Sequence, residues 1–308
     1  MRDINLNYLA SPKACASHFG NLGEFSNLHK IRVQVFSFGL HKLILELGKL
    51  LARCPGLTDL DISIKDFYYG FIGASALDTT MSKLFRFLDK NGKPLSLRNL
   101  RMDGMSVSPR CMELGIRNLR SLQSLHIYEF SSNGLEHTIW DALRKERIYI
   151  QSLSTDAADD SLLRYLSSFQ GMRKFSLVKY SFPQFDPIFL LQILIPHHVE
   201  SLTELSVLEG SKCQFKLIWS ENLVNLLSSF KNLQYFGVQL HLAASYISII
   251  VGVVCNINIF VDHTHPFPGI YYSDLYKNIS KTSAPRSPYS VDGIVSENRD
   301  FVTNHDRP

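Results

Sequence analysis

One short pattern recurs down most of this chain: an apolar residue, two variable residues, an apolar residue, one variable residue, an apolar residue. It is clearest in Cys54-Pro55-Gly56-Leu57-Thr58-Asp59-Leu60-Asp61-Ile62. The same frame fits Leu28/Ile31/Val33, Leu97/Leu100/Met102, Leu122/Leu125/Ile127 and Ile150/Leu153/Thr155. It continues through Met172/Phe175/Leu177, Leu202/Leu205/Val207 and Leu233/Phe236/Val238. The first positions of the eight copies are 29, 40, 25, 28, 22, 30 and 31 residues apart. Self-similarity at such a period marks a repeat array, in which each unit is one supersecondary module. The last two apolar residues of a copy lie two apart and share one face of a strand, while Asp59, Asp61 and Ser63 turn to the other.

Between the copies, apolar residues fall at helical spacing: Leu43/Leu47/Leu50/Leu51, Leu84/Phe87/Leu88, Ile139/Trp140/Leu143, Leu162/Leu163/Leu166 and Leu223/Leu226/Leu227. Each set predicts a helix with one buried face. Pro55-Gly56 and Asn91-Gly92 stand where the first two helices should stop. Strand, helix, strand, repeated, implies parallel strands joined by crossover helices. A single unit cannot cover its own apolar face, so neighbours must stack. The expected fold is an α/β leucine-rich-repeat solenoid, with a curved parallel sheet on the concave side and helices on the convex side. The competing architecture is an ordinary doubly wound α/β domain, which alternates strands and helices too.

Composition supports a folded chain: 45% of the 308 residues are apolar and 19% charged, outside the range of disordered or collagen-like sequences. The formal net charge is only +4 and no long run of like charges occurs, so no nucleic-acid partner is expected. The five cysteines (Cys15, Cys54, Cys111, Cys213, Cys255) are odd in number and widely spaced. That fits a reduced compartment, cytoplasmic or nuclear.

Cys54–Ile62 and Leu119-Arg120-Ser121-Leu122-Gln123-Ser124-Leu125-His126-Ile127 resemble strand segments of ribonuclease-inhibitor-like leucine-rich repeats. Together with Val199–Val207 and Phe230–Phe236, and with the uneven unit lengths, residues 25–240 are similar to the F-box/leucine-rich-repeat proteins of fungi. In that family an F-box docks on a cullin-type ubiquitin ligase and the repeats hold the protein to be modified. Residues 1–24 carry no Leu-Pro-x-Glu-like F-box opening. The resemblance therefore implies a recognition surface, with ligase subunits as partners only where a docking module exists.

No catalytic constellation is present: no Gly-rich phosphate loop, no G-x-S-x-G and no HExxH. No enzyme activity, cofactor or metal is expected. His197-His198, read as part of a strand, would point to opposite sides and chelate poorly. His263 and His265 read as a polar loop, although an extended segment would let them share a metal. Asp156, Asp159 and Asp160 cluster where a helix should start, and carboxylates there satisfy free N–H groups. Asn278-Ile279-Ser280 has the form of a glycosylation sequon, read as coincidental because no secretory signal precedes it. The candidate site is the outward set of strand residues, expected to bind a protein on the concave face: Lys30, Arg32, Asp59, Asp61, Asn99, Arg101, Asp103, His126, Tyr128, Lys174, Ser176, Glu204, Ser206 and Tyr235. Their mixed charges suit a protein epitope better than a polyanion.

Of 43 leucines, only Leu275 lies beyond residue 242, so the end of the chain needs its own reading. Residues 1–24 are expected to form an amino-terminal cap or lead-in, 25–240 the solenoid, 241–280 an atypical carboxy-terminal cap and 281–308 a disordered tail. Residues 242–261 hold no charge over twenty positions and are long enough to span a bilayer. Their serines, asparagines and β-branched bias favour a cap finishing the solenoid. The expected function is a non-enzymatic protein-recognition scaffold. Its alternatives are a repeat protein tethered by 242–261 and a small-molecule enzyme on an ordinary α/β sheet.

Overall fold

The computed structural model describes residues 3–8, 27–36, 40–65, 84, 94–103, 115–128, 137–156, 158–180, 187–209, 221–238 and 258–261. Ten strands run through it: β1 Asp3–Tyr8, β2 Lys30–Phe36, β3 Asp59–Lys65, β4 Asn99–Asp103 and β5 Ser124–Tyr128, then β6 Ser152–Thr155, β7 Lys174–Tyr180, β8 Glu204–Glu209, β9 Tyr235–Val238 and β10 Asn258–Val261. Five α-helices are described: α1 Leu40–Arg53, α2 His137–Lys145, α3 Asp160–Leu166, α4 Pro187–His198 and α5 Glu221–Ser228, with a 3₁₀ turn at Ile116–Leu119.

The strands lie side by side in chain order, β1 through β10, in one sheet, and every neighbouring pair is parallel. A doubly wound sheet reverses its strand order at a switch point; this one never does. The fold is the α/β leucine-rich-repeat solenoid. All eight copies of the sequence frame land on β2–β9 in a single register. One inward ladder reads Ile31–Leu60–Leu100–Leu125–Leu153–Phe175–Leu205–Phe236, and the next Val33–Ile62–Met102–Ile127–Thr155–Leu177–Val207. β1 and β10 extend the sheet past residues 25–240 at both ends, pairing with β2 and β9.

The turns repeat as faithfully as the strands. The carbonyl of His29 accepts from the amides of both Thr58 and Asp59, and Thr58 does the same for Arg98 and Asn99. The series continues through Arg98, Gln123, Gln151, Arg173 and Thr203, at 2.8–3.1 Å throughout. Backbone groups that each turn would otherwise leave without partners are thus satisfied by the neighbouring repeat.

The inward strand residues and the buried helix faces form one continuous apolar core. Helices α2, α3, α4 and α5 pack successively against each other. Helices about 10 Å across, set beside strands about 4.8 Å apart, leave the sheet on the inner side of the curve. The predicted stripes behave as expected in α1, α2, α3 and α5, where Leu47, Leu50, Leu51, Ile139, Trp140, Leu143, Leu162, Leu163, Leu166, Leu223 and Leu227 are buried. Leu84 is helical and buried, while Phe87, Leu88 and Asn91-Gly92 lie outside the described residues.

Asn118, Tyr165 and His198, polar side chains in the core, have structural partners. Asn118 Oδ1 accepts from the Leu95 amide at 2.9 Å. The Tyr165 hydroxyl donates to the Ile148 carbonyl at 2.8 Å and accepts from the Ile150 amide at 3.0 Å. His198 Nε2 donates to the Leu166 carbonyl at 2.9 Å while Nδ1 faces the Met172 amide at 3.4 Å. In each case the segment after a strand returns a side chain to the turn that leads into it, satisfying groups whose burial unpaired costs about 1–3 kcal/mol each. Trp140, Tyr165, Phe169 and His198 form a run of rings with centroids 5.9, 5.1 and 5.0 Å apart, tying α2, α3 and α4 together.

Two local readings are settled here. Asp159 is the N-cap of α3, its carboxylate accepting from the Leu162 amide at 2.7 Å, as the acidic cluster implied. His197 and His198 end helix α4 rather than sitting on a strand. The sequence signal for α4 was masked because Pro187–His198 is apolar on nearly every side, so no stripe stands out.

Candidate functional site: the open face of the sheet

Strand alternation places all fourteen candidate residues on the face opposite the core. Two rows cross the sheet. The first runs Lys30–Asp59–Asn99–Ser124–Ser152–Lys174–Glu204–Tyr235, and the second Arg32–Asp61–Arg101–His126–Ser154–Ser176–Ser206–Gly237. A shorter third row holds Ser63, Asp103 and Tyr128. The candidate set omits Ser124, Ser152, Ser154 and Gly237, although the same frame assigns them to this face; Ser63, which the sequence places outward, lies here too.

The rows differ in chemistry along their length. Over β2–β6 the side chains form one connected network. Arg32 Nε donates to Asp61 Oδ2 at 2.7 Å, and Asp61 Oδ1 lies 3.9 Å from Arg101 Nε. Arg101 in turn grips Asp103 Oδ2 through Nε at 3.1 Å and a terminal nitrogen at 2.9 Å. Its guanidinium carbon stands 5.6 Å from the Tyr128 ring centre, within cation–π range. The Tyr128 hydroxyl is hydrogen-bonded to Ser154 Oγ on the next strand. Beside this chain, Asn99 donates to Asp59 at 2.7 Å, and Ser124 Oγ meets His126 Nε2 at 3.2 Å.

This network orders the surface more than it stabilises the fold. The Arg32 and Arg101 side chains are 45% and 47% exposed, and ion pairs in such settings are worth about 0–1 kcal/mol. The hydrogen bond to Asp103 raises the Arg101 pKa above its usual value. Burial, with the nearby Arg101 charge, lowers that of His126, favouring its neutral form. Ser63 Oγ and Asp103 Oδ1 are buried with no hydrogen-bond partner among the described residues, so neither is open to an incoming group.

Over β6–β9 the second row is made of small residues. The ion pair here is Lys174–Glu204 at 2.6 Å. Gly237 matters because a Cβ at that position would stand 2.8 Å from Ser206 Oγ and 3.1 Å from the Tyr235 ring; the missing side chain lets Tyr235 lie close over the strand. Burial, with Glu204 alongside, raises the Tyr235 pKa. The face thus offers an anchored charged half and a shallower hydroxyl-lined half.

No group of three or more metal-ligating side chains occurs among the described residues, and His263, His265 and the Asn278 sequon lie outside them. No helix among the described residues is long and apolar enough to cross a membrane. Of the uncharged stretch 242–261, residues 258–261 form β10 and the remainder lies outside the described residues. Neither a scan against protein-family models nor a search of curated proteins finds a match for this chain.

Proposed function

We propose that this chain is a non-enzymatic recognition scaffold that holds a protein partner on the open face of its sheet. The observation that carries this reading is the connected Arg32–Asp61–Arg101–Asp103/Tyr128–Ser154 array. Ordering side chains before a partner arrives lowers the entropy lost on docking. Mixed charge and an amphipathic tyrosine suit a folded protein surface, where arginine and tyrosine supply the energetic anchors. The finer reading, taken from the resemblance to F-box/leucine-rich-repeat proteins, is that the repeats select proteins for a ubiquitin ligase.

The test is affinity capture from a cell extract with the native chain and with Arg101→Glu, followed by mass spectrometry. Arg101→Glu should keep the native melting temperature within about 2 °C and lose the specifically captured protein. Equal recovery would sink the sheet-face reading. Cullin-type ligase subunits in the native eluate would support the finer one, and their absence beside a recovered partner would count against it.

A further inference from the structure

A second surface stands apart from the open face: the edge of the sheet where β4–β7 begin. The turn carbonyl ladder sets Arg98, Gln123, Gln151 and Arg173 abreast in successive repeats, each joined to the next by a backbone hydrogen bond of 2.8–2.9 Å. Arg98 and Arg173 are exposed. Between them lie Arg120, whose side chain is 66% exposed and reaches Glu146 at 3.3 Å, and the exposed pair Lys145 and Arg147. Among the described residues Glu146 is the one carboxylate paired with these five cations.

Arg147 is the informative member. It closes α2 in a Schellman turn: the Ile148 amide bonds to the Leu143 carbonyl at 2.9 Å and the Arg147 amide to that of Arg144 at 3.1 Å. The residue at that corner must be left-handed, and Arg147 has φ +54, a conformation that disfavours any side chain with a Cβ and is usually given to glycine. In the following turn, Gly171 at φ +98 meets a left-handed demand with glycine. A cation with no ion pair among the described residues, held at a strained corner, points to a use for its charge. Two residues on, Tyr149 is 46% exposed, with its ring stacked on Phe169 at 5.2 Å, so it presents a rigid aromatic face among the cations.

We propose that this edge, built from Arg98, Arg120, Arg147, Arg173 and Tyr149, binds an acidic segment of a polypeptide. Charge complementarity names the occupant: a strip of exposed cations with one counter-charge among the described residues attracts an anionic chain. An extended chain rises about 3.4 Å per residue, so carboxylates four positions apart span about 13.6 Å, against about 14.4 Å for the three strand spacings that separate Arg98 from Arg173. The site is distinct from the sheet face, so either can fail without the other.

The experiment uses the full chain and a fluorescent deca-glutamate peptide, read by anisotropy as salt is raised, beside a uridine homopolymer of equal charge. The native chain should bind the peptide more tightly than the RNA, and less tightly as salt rises. Arg98→Glu combined with Arg173→Glu should weaken peptide binding about tenfold or more. Arg147→Gly is the sharper variant: glycine relieves the left-handed corner, so the melting temperature should hold or rise while affinity falls about threefold. Arg101→Glu, on the sheet face, should leave peptide affinity unchanged. Failure of the native chain to bind the peptide, unchanged affinity in Arg147→Gly, tighter binding of the RNA, or loss in Arg101→Glu would each overturn the proposal.

Discussion

The two faces of the same ten-stranded sheet obey different rules. On the helix side, Leu60, Leu100, Leu125, Leu153, Phe175, Leu205 and Phe236 form a continuous row at 3% exposure or less, and each must fit the volume left by its neighbours. On the open side, residues one position away vary from Asp to Arg to Ser to Gly without interrupting the backbone ladder. A repeat protein can therefore change what it recognises without rebuilding its core, because the two-residue strand period separates the positions that hold the fold from those that meet a partner. Stability should reside almost wholly on one side and specificity on the other.

That separation can be broken experimentally, and the largest effect should come from the core. Leu60→Asp puts a carboxylate into the shared apolar row and should cost more than about 4 kcal/mol, enough to abolish a cooperative melting transition; an unchanged melt would refute the register. Next is His198. Burial lowers its pKa to about 4, the backbone bond to Leu166 partly opposing the shift. The unfolded chain, with an ordinary value near 6.5, takes up the proton first. His198's contribution is therefore complete above about pH 6.5, declines as the pH falls towards about 4, and is gone below it, a loss of up to about 3 kcal/mol. Protonated Nδ1 would face the Met172 amide, donor against donor. His198→Ala should remove this part of the acid dependence in denaturant melts, and a native-like pH profile in that variant would contradict it.

On the open side the expected effects are smaller. Gly237→Ala forces Ser206 and Tyr235 aside and should cost about 1 kcal/mol, with Tyr235 becoming more accessible to nitration. Arg101→Glu should cost about 1 kcal/mol or less although it removes the partner. A stability loss comparable to Leu60→Asp at either open-side position would erase the distinction between the faces.

Most of this architecture was readable in advance because it depends on local periodicity. The Leu57-x-x-Leu60-x-Ile62 frame specifies a strand, its inward face and, through repetition, its pairing partner. Where the periodic signal was weak, the reading missed. Helix α4 escaped because Ile188, Leu190, Leu191, Ile193, Leu194 and Ile195 leave no polar stripe to contrast with. β10 escaped because Asn256 stands where the frame has an apolar residue; on β1 the frame is present as Met1/Ile4/Leu6 but lies apart from the leucine-rich run of copies. The partners of Asn118, Tyr165 and His198 lie 15 to 32 residues away in sequence, so only the packed repeats reveal why polar groups are tolerated in the core. On the open face the residue types were legible, but the chain linking Arg32 to Ser154 depends on register across five strands. The Arg147 corner, a left-handed arginine between two ordinary turns, has no signature in composition at all.

The division between the two faces is tested most directly by cysteine accessibility at adjacent positions of one strand. Leu100→Cys and Arg101→Cys, each probed in the folded protein with a maleimide and read by peptide mass spectrometry, differ by a single residue. The thiol at 101 should label at nearly the rate of an unfolded chain and that at 100 orders of magnitude more slowly. Similar rates at the two positions would mean that β4 has no buried side and no open one.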